Sequence, residues 1–286
     1  MPVFSRHKRL FILGILALGT IVIWIAVWES SRDTLTLSVL DVGQGDAIYI
    51  RHGNEDVLID GSKDRSVLRG LGRAMPFWDR SIDVILATHP DADHIGGLPD
   101  VLTRYTVGTV IESGNTSDTA VYKEFEQDIQ KEGARHVVGT RGTIVRLGDD
   151  AYMEILFPDR SQSEVVQWES NMSSLVIRLV HGDSVAILTG DAPIDSENYV
   201  VGMYGAGLHA DVLKTGHHGS KTSTSDAFLA AVAPKYVAIS VGCDNTYGHP
   251  SPSVVEKIRA FGATIGNTCE DGTLVYESEG KGFVRR

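Results

Sequence analysis

Two histidines and two aspartates are crowded into six consecutive positions, His89-Pro90-Asp91-Ala92-Asp93-His94. The apolar run 84–87 precedes them and Gly96-Gly97 follows, which is the pattern of a strand that ends and leads into a helix. Such a junction presents side chains and free backbone N–H groups to one cleft, and imidazole and carboxylate are ligands of divalent transition metals. The cluster therefore predicts a metal site; a solvated acidic turn is disfavoured, because it would not need four such groups together.

Further polar groups follow or flank later apolar runs of the sequence. Asn171 stands just before the run 174–179, and Asp191 follows the run 185–188 in Thr189-Gly190-Asp191. His217 and His218 follow the run 212–213, and His249 lies in Tyr247-Gly248-His249-Pro250 after a further run. If the ends of these strands meet at one edge of a sheet, the groups converge on the first cluster.

The remaining pattern predicts one α/β domain over residues 34–286, in which early hairpins give way to alternating helices and strands. The predicted strands are 35–40, 47–50, 57–59, 84–87, 107–111, 152–156, 174–179, 185–188, 212–213, 236–239 and 273–276. The predicted helices are 67–74, 120–132, 195–203, 226–232 and 252–261.

Residues 1–33 read as a cytoplasmic N-terminus and a membrane anchor. Residues 10–28 contain no charge, and as a helix they would reach about 28 Å, close to the bilayer core of about 30 Å. Arg6, Lys8 and Arg9 precede the run, which favours a cytoplasmic N-terminus and an extracytoplasmic domain. A cleaved signal peptide is less favoured, because Trp24 and Trp28 occupy the place of its small-residue cleavage site; a buried helix is the third reading.

Charge and cysteine content narrow the choice of partner. The formal net charge of −11 argues against a broad basic groove for nucleic acid, although bound metals would add positive charge locally.

Cys243 and Cys269 are too few for a disulfide scaffold and too far apart for a metal knuckle. They either pair, if the domain lies outside the cytoplasm, or remain two separate thiols.

The order of these motifs resembles the metallo-β-lactamase fold superfamily, whose usual first motif has a histidine where this sequence has Asp91. That replacement resembles a narrower group, the extracytoplasmic hydrolase domain of the competence DNA-uptake protein ComEC. The similar phrases are "LDVGQGDAIYI" (40–50), "VLIDGS" (57–62), "NMSSLVIRL" (171–179), "LKTGHHGSKTS" (213–223) and "ISVGCDNTYGHPSPSVVEKI" (239–258). The resemblance covers about residues 34–276.

The resemblance implies an αββα sandwich with two divalent metal ions at one edge. By position, the first metal site takes His89, Asp91 and Asn171; the second takes Asp93, His94 and His217; and Asp191 bridges the two. Asp91 and Asn171 stand where the superfamily usually has imidazoles. The first site is therefore richer in oxygen, so that manganese competes with zinc as its metal.

Other residues receive supporting roles in this reading. Asp93 also orients the attacking hydroxide, and His249 assists the leaving group. Asp46 and Asp60 orient ligand histidines. His218 is expected to be a neighbour of the ligand, since adjacent side chains of an extended segment point to opposite sides. The residues expected to hold substrate phosphates are Lys214, His218, Ser220 and Lys221.

These features together predict a metal-dependent phosphodiesterase that hydrolyses DNA outside the membrane. Two alternatives stay open. The first is a hydrolase that uses the same site on a small ester, thioester, lactone or β-lactam. The second is a DNA-binding module that has lost a metal, an alternative that Asn171 and the acidic net charge would suit. ComEC proteins also carry a transmembrane channel and an OB-like domain, whereas this sequence has a single span. A separately encoded DNA-uptake channel is therefore a further partner to consider.

Overall fold

The computed structural model describes residues 6–30 and 34–286; the other parts of the segment predicted to be an anchor, residues 1–5 and 31–33, lie outside the described residues. The α helices are α1 Arg6–Ser30, α2 Ser66–Ala74, α3 Ala92–Ile95, α4 Leu98–Leu102, α5 Ala120–Glu132, α6 Gln162–Val165, α7 Ile194–Tyr204, α8 Asp226–Val232, α9 Pro252–Phe261 and α10 Thr268–Asp271. The strands are β1 Leu35–Val39, β2 Ile48–His52, β3 Glu55–Ile59, β4 Ser81–Ala87, β5 Thr106–Glu112, β6 Arg135–Val138, β7 Ile144–Leu147, β8 Ala151–Phe157, β9 Val176–His181, β10 Ser184–Leu188, β11 Val212–Lys214, β12 Tyr236–Ile239, β13 Thr264–Asn267, β14 Leu274–Ser278 and β15 Phe283–Arg285.

The strands form two mixed sheets. The first has the order β15-β14-β1-β2-β3-β4-β5-β6, and the second has the order β13-β12-β11-β10-β9-β8-β7. In the first sheet β3 to β6 are parallel and the other pairs are antiparallel. In the second sheet β10 to β13 are parallel, and β7 to β10 are joined as antiparallel neighbours. Hairpins come first in each half and helix crossovers follow, as a parallel arrangement requires.

Alternating side chains divide each sheet between an inner and an outer apolar layer. On β2, Ile48 and Ile50 pack between the two sheets, whereas Tyr49 packs against the helices outside. On β10, Leu188 lies in the inner layer and Ile187 in the outer one. This period of two is what a strand covered on both faces needs. Helices α2, α4 and α5 cover the first sheet and α7, α8 and α9 the second, which confirms the αββα sandwich.

The helix boundaries follow the sequence pattern closely. Helices α5, α8 and α9 have the predicted bounds. Thr119 accepts a hydrogen bond from the backbone N–H of Tyr122 at the start of α5, and Gly133 ends it at a φ of 79°. A polar N-cap and a glycine in the left-handed region are common helix start and stop signals.

The N-terminal helix α1 is long and apolar enough to cross a membrane. Residues 6–25 have a mean hydropathy of 2.0, and the large apolar side chains between Leu10 and Ile25 are exposed. An exposed apolar helix surface of this length matches a lipid environment better than water.

The two cysteines are joined. A disulfide links Cys243, in the loop after β12, to Cys269 in α10. Of the two alternatives left open by the sequence, the structure has the paired one.

Candidate active site

The carboxyl ends of neighbouring strands in the two sheets meet along one edge of the sandwich. Asp60 follows β3, His89 follows β4 and Asp191 follows β10. The rings of His89 and His94 have centroids 4.1 Å apart, and those of His94 and His218 lie 5.4 Å apart. Loops that are distant in the sequence therefore converge, as the polar groups at the strand ends predict.

The loop between β1 and β2 closes against the first motif. The backbone N–H of Asp46 donates to the carbonyl oxygen of Asp93 over 3.2 Å. Gly45 has a φ of +119°, and a Cβ atom at this position would lie 2.2 Å from the same oxygen. Only glycine fits such a conformation and such a close approach, so that this residue allows the loop to pack against the site.

His89 and Asp91 form one side of the cluster. His89 Nε2 lies 3.6 Å from Asp91 Oδ2. The Thr88 hydroxyl donates to Asp60 over 2.8 Å, so it accepts from His89 Nδ1, 3.1 Å away. The lone pair of neutral His89 is then on Nε2, which is buried and has no hydrogen-bond partner among the described residues. A metal ion would use this atom.

His94 lies between two carboxylates. Its Nδ1 donates to Asp60 Oδ2 over 2.7 Å, and its Nε2 lies 3.3 Å from Asp191 Oδ1. Burial acts to lower the pKa of His94, but Asp191 and Asp60 raise this pKa well above its usual value. An imidazole held through its second nitrogen by a carboxylate is a common arrangement of metal ligands, and the geometry agrees with the orienting role expected for Asp60.

His218 completes the other side of the cluster. Its Nε2 lies 3.3 Å from Asp93 Oδ2 and 3.6 Å from Asp191 Oδ2. Its Nδ1 lies 3.0 Å from the carbonyl oxygen of Ser240, which can only accept, so the lone pair of the neutral ring is on Nε2. Asp93, His94 and His218 thus offer one ligand atom each within 4.8 Å of one another.

The expectation that the side chains of His217 and His218 point to opposite sides is wrong. The segment is not extended: His217 has φ 48° and ψ 49°, and His218 has φ 54° and ψ 28°. Two successive left-handed residues turn both rings towards Asp191, and His217 Nε2 lies 3.8 Å from its Oδ2. His218 is 1% exposed, whereas His217 is only partly buried. The buried imidazole is therefore His218, which was expected to contact the substrate and not the metal.

The carboxylates of the cluster are ionised at neutral pH. Burial acts to raise the pKa of Asp93, but the neighbouring imidazoles of His218 and His94 lower it to about 2. Burial opposes ionisation of Asp191 as well, yet His94 and His218 hold its pKa well below the usual value. Both groups are therefore available as ligands.

The donor atoms of the cluster fit divalent metal ions. The buried atoms that lack a hydrogen-bond partner within the described residues include Nε2 of His89, His94 and His218, Oδ1 of Asp191 and Oδ1 of Asn171. Each such group costs about 1–3 kcal/mol when it is left unpaired. The separations of 3.3–3.6 Å among His89, Asp91, Asp93, His94, Asp191 and His218 exceed ordinary hydrogen bonds but match ligands that share an ion at about 2.0–2.2 Å, which lie roughly 3.3–3.6 Å apart.

The expectation that Lys214 contacts substrate is wrong. Lys214 is fully buried and its ammonium forms an ion pair with Asp46. It also donates to the carbonyl oxygen of Gly190 over 3.1 Å and lies 4.0 Å from Asp191 Oδ1. The residue belongs to β11 itself, so its side chain lies beneath the cluster, where it neutralises a buried carboxylate.

The other predicted residues lie around the cluster. His249 lines a cavity of about 180 Å³ with Asp91, Asp93, Asp191 and His217. Lys221 is exposed in the loop beyond.

Ser220 and Asn171 are two further predicted site residues, and the structure shows the surroundings of each. Ser220 is 4% exposed, and its hydroxyl hydrogen-bonds that of Thr222 over 2.9 Å, so it is already partnered within its own loop. Asn171 opens a 3₁₀ turn ahead of β9 and keeps its buried Oδ1 without a hydrogen-bond partner among the described residues.

Two residues at the mouth of the site were not singled out from the sequence. Gln44 and Tyr247 line the cavity beside Asp93. Tyr247 is 70% exposed, and its ring is stacked on that of His249 with a centroid distance of 6.0 Å and an interplanar angle of 18°. The sequence carries a weak signal for Tyr247, which is two residues from His249, but its exposure depends on the fold.

A two-sheet αββα sandwich with a cluster of histidines and aspartates at the strand ends defines a class of metal-dependent hydrolase folds. Residues 40–242 match the metallo-beta-lactamase superfamily, and the chain belongs to that superfamily.

Within it, the chain is similar to proteins of bacterial competence. Competence protein ComA of Neisseria gonorrhoeae is 32% identical over 250 residues, which cover 87% of this chain and 33% of that protein. ComE operon protein 3 of Bacillus subtilis is 30% identical over 259 residues, which cover 84% of this chain and 32% of that protein. The chain thus spans about a third of the length of these relatives.

The fold is also that of a solved structure. The metallo-beta-lactamase fold protein YhfI from Bacillus subtilis superposes with a TM-score of 0.58 at 13% identity, over 86% of this chain and 100% of that chain. Identity this low supports a common fold and carries no information about substrate.

Proposed function

We propose that the chain is a membrane-anchored, extracytoplasmic, metal-dependent phosphodiesterase that acts on DNA. The observation that carries the proposal is an exposed aromatic ring, Tyr247, which stacks on His249 and lines the same cavity as the metal-binding side chains. The similarity to competence proteins supports DNA as the substrate.

Two divalent ions, zinc or manganese, fit the donor set. We assign His89, Asp91 and Asn171 to the first, and Asp93, His94 and His218 to the second, with Asp191 between them and His217 at the margin. Such ions supply a hydroxide near neutral pH and positive charge for a phosphoryl oxygen.

The chain's own residues orient the reactants. Asp93 faces the cavity from the second ligand group and can hold the attacking hydroxide by accepting its proton in a hydrogen bond. His249 lines the same cavity and can donate to the leaving oxygen. Both groups lie on the side of the cluster that opens towards Tyr247, which is where a substrate would enter.

The shape and lining of the site favour an extended polar substrate. The cavity of about 180 Å³ adjoins one of about 320 Å³, and the two share Gln44, Asp93 and Tyr247. Lys63, an exposed residue, lines the larger one. The carboxylates of Asp93 and Asp244 line the larger cavity as well, so that Lys63 and the exposed ring of Tyr247 suit a strand of nucleic acid once bound metal offsets the acidic groups.

The topology of the chain supports the proposed location. Helix α1 is long and apolar enough to span a membrane, and basic residues flank its N-terminal side, which favours a cytoplasmic N-terminus. The disulfide between Cys243 and Cys269 suits an oxidising, extracytoplasmic compartment. A separately encoded DNA-uptake channel is the partner that the similarity to competence proteins suggests.

The test uses the full chain in detergent, supplied with zinc or manganese. Fluorescent single-stranded and duplex DNA, nucleotides, a chromogenic ester and a β-lactam are offered in parallel to wild type, Asp93→Ala and Tyr247→Ala. We expect DNA cleavage by the wild type, none by Asp93→Ala, and binding of single-stranded DNA weakened by Tyr247→Ala by about 1–3 kcal/mol, the usual worth of one stacked base.

Phe77→Ala is the matched control, because Phe77 is also exposed, at 82%, but lies before β4, at the far end of that strand from His89. Hydrolysis of the ester or β-lactam without cleavage of DNA would identify the alternative hydrolase. DNA binding with no bound metal would identify a non-catalytic module instead.

A further inference from the structure

A second cluster of histidines lies at the opposite edge of the sandwich from the candidate active site. His52 is the last residue of β2, and His181 is the last residue of β9. These strands run antiparallel to β3 and β10, which lead to Asp60 and Asp191. From the rise of about 3.3 Å per residue along a strand, the two clusters are roughly 20 Å apart.

The two rings face the same carboxylate. Asp150, in the turn between β7 and β8, places Oδ1 3.7 Å from His52 Nε2 and Oδ2 3.3 Å from His181 Nε2. The ring centroids are 4.8 Å apart, and one ligand atom of each residue lies within 4.8 Å of the other two. Both histidines are buried, whereas the Asp150 side chain is 46% exposed, so the group is open to solvent on one side.

Hydrogen bonds on the far side fix the same tautomer in both rings. His52 Nδ1 lies 2.8 Å from the carbonyl oxygen of Leu147, which can only accept. His181 Nδ1 lies 2.9 Å from the Ser278 hydroxyl, which donates its own proton to Ser184 and therefore accepts from the ring. In the neutral state each Nε2 then carries a lone pair that faces an anionic carboxylate, an arrangement that calls for a cation between them.

We propose that His52, His181 and Asp150 bind a transition-metal ion such as zinc. The separations of 3.3 and 3.7 Å bracket the roughly 3.3–3.6 Å expected between ligands that share a zinc ion. The bonds from Nδ1 to a carbonyl and to a hydroxyl are the partners that orient metal-bound histidines. Two imidazoles and one carboxylate select zinc or a neighbouring transition metal over calcium or magnesium.

This site would fasten the two sheets together where the chain enters the domain. His52 belongs to the first sheet and pairs with Leu35 at the start of β1, whereas His181 and Asp150 belong to the second. The bound ion would link these three segments beside Leu35, the first residue of β1. The proposal does not depend on the phosphodiesterase function, because none of its residues belongs to that site.

Zinc stoichiometry of the full chain tests the proposal. The protein is purified in detergent through a tag without histidine, saturated with zinc, freed of unbound ion and measured by elemental mass spectrometry. Relative to wild type, His52→Gln/His181→Gln should lose one zinc per chain, and the double variant Asp93→Asn/His218→Gln should keep that ion. His209→Gln, at an exposed histidine outside both clusters, should lose none.

Cobalt titration of the Asp93→Asn/His218→Gln protein gives a second measurement, since a tetrahedral site produces visible d–d absorption. If the His52→Gln/His181→Gln variant does not fold, Asp150→Asn replaces it in the test, because it changes only the half-exposed ligand. This variant should bind cobalt at least about tenfold more weakly. The same zinc content in wild type and the histidine variant would overturn the proposal. A second result would also overturn it: the stability of the wild type changes with pH in the range where histidine titrates but does not change with zinc. Two imidazolium groups would then pair with Asp150 in place of a metal ion.

Discussion

Replacement of Lys214 by methionine should destabilise the domain strongly, because it leaves a buried carboxylate without its cation. Asp46 is 1% exposed, and the Lys214 ammonium pairs with it. His218 Nδ1 is 3.4 Å away, but its proton is directed to the Ser240 carbonyl group. Breaking a buried ion pair by removal of one partner costs about 3–5 kcal/mol. This is a large share of the roughly 5–15 kcal/mol that stabilises a domain.

The assay is urea and thermal unfolding of the detergent-purified chain in the presence of a chelator, so that bound metal adds no stability of its own. For a domain of this size, each kcal/mol shifts Tm by about 2–4 °C, so Lys214→Met should lower Tm by roughly 6–20 °C. Lys221→Met is the matched control, because its side chain is exposed in a neighbouring loop. It should change the free energy of unfolding by less than about 0.5 kcal/mol.

The double variant Lys214→Met/Asp46→Asn separates charge from packing. Once both charges are gone, no uncompensated carboxylate remains, and the two effects should fail to add by about 0.5–3 kcal/mol. If Lys214→Met unfolds at the same urea concentration as Lys221→Met, the ion pair does not stabilise the fold and our account of Lys214 is wrong.

Three further changes test other parts of the structure. Asp60→Asn should weaken metal binding by about 10–100-fold with the fold intact, because Asp60 accepts from His94 and Thr88; competition with a chromogenic chelator measures this, and unchanged affinity would remove its orienting role. Gly45→Ala should lower both metal content and stability, since its Cβ would meet the Asp93 carbonyl oxygen at 2.2 Å; an unaffected variant would refute the close approach. Burial raises the pKa of Asp56 to about 7 despite the opposing effects of Tyr49 and Arg51, so its stabilising contribution is complete below about pH 4 and is lost as the pH rises through about 7. Asp56→Asn should flatten that pH dependence in urea unfolding, and an unchanged profile would contradict it.

The sequence predicts the interior of both sheets but not their edges. The strands that the pattern omits are β6, β7, β13 and β15, and these are the four edge strands of the two sheets. Their exposed positions break the apolar runs: β6 has no buried residue and β15 has one. An edge strand is stabilised mainly by the ladder of the strand beside it, which a local pattern does not record.

The candidate site shows the same division between local and distant information. The cluster from His89 to His94 is recognisable because its residues are neighbours in the chain. The choice between His217 and His218 depends on two successive residues in the left-handed region, which is uncommon for any residue other than glycine. The role of Lys214, in β11, depends on Asp46, which lies in the loop between β1 and β2, and no spacing rule connects the two positions.

The charge of the chain restricts how it can hold a polyanion. With 37 acidic and 26 basic residues, its overall field repels DNA, so attraction must be local. Three carboxylates, those of Asp91, Asp93 and Asp191, face two divalent ions in the proposed site and leave an excess of about one positive charge before a water on the ions loses its proton, enough to attract a phosphate. A protein with a basic groove still binds DNA after its metal ions are removed by a chelator. In the proposed site, by contrast, the positive charge that attracts the substrate would be lost with the metal ions. Binding and cleavage would then depend on the same ions, so that an acidic domain could act on DNA without retaining it.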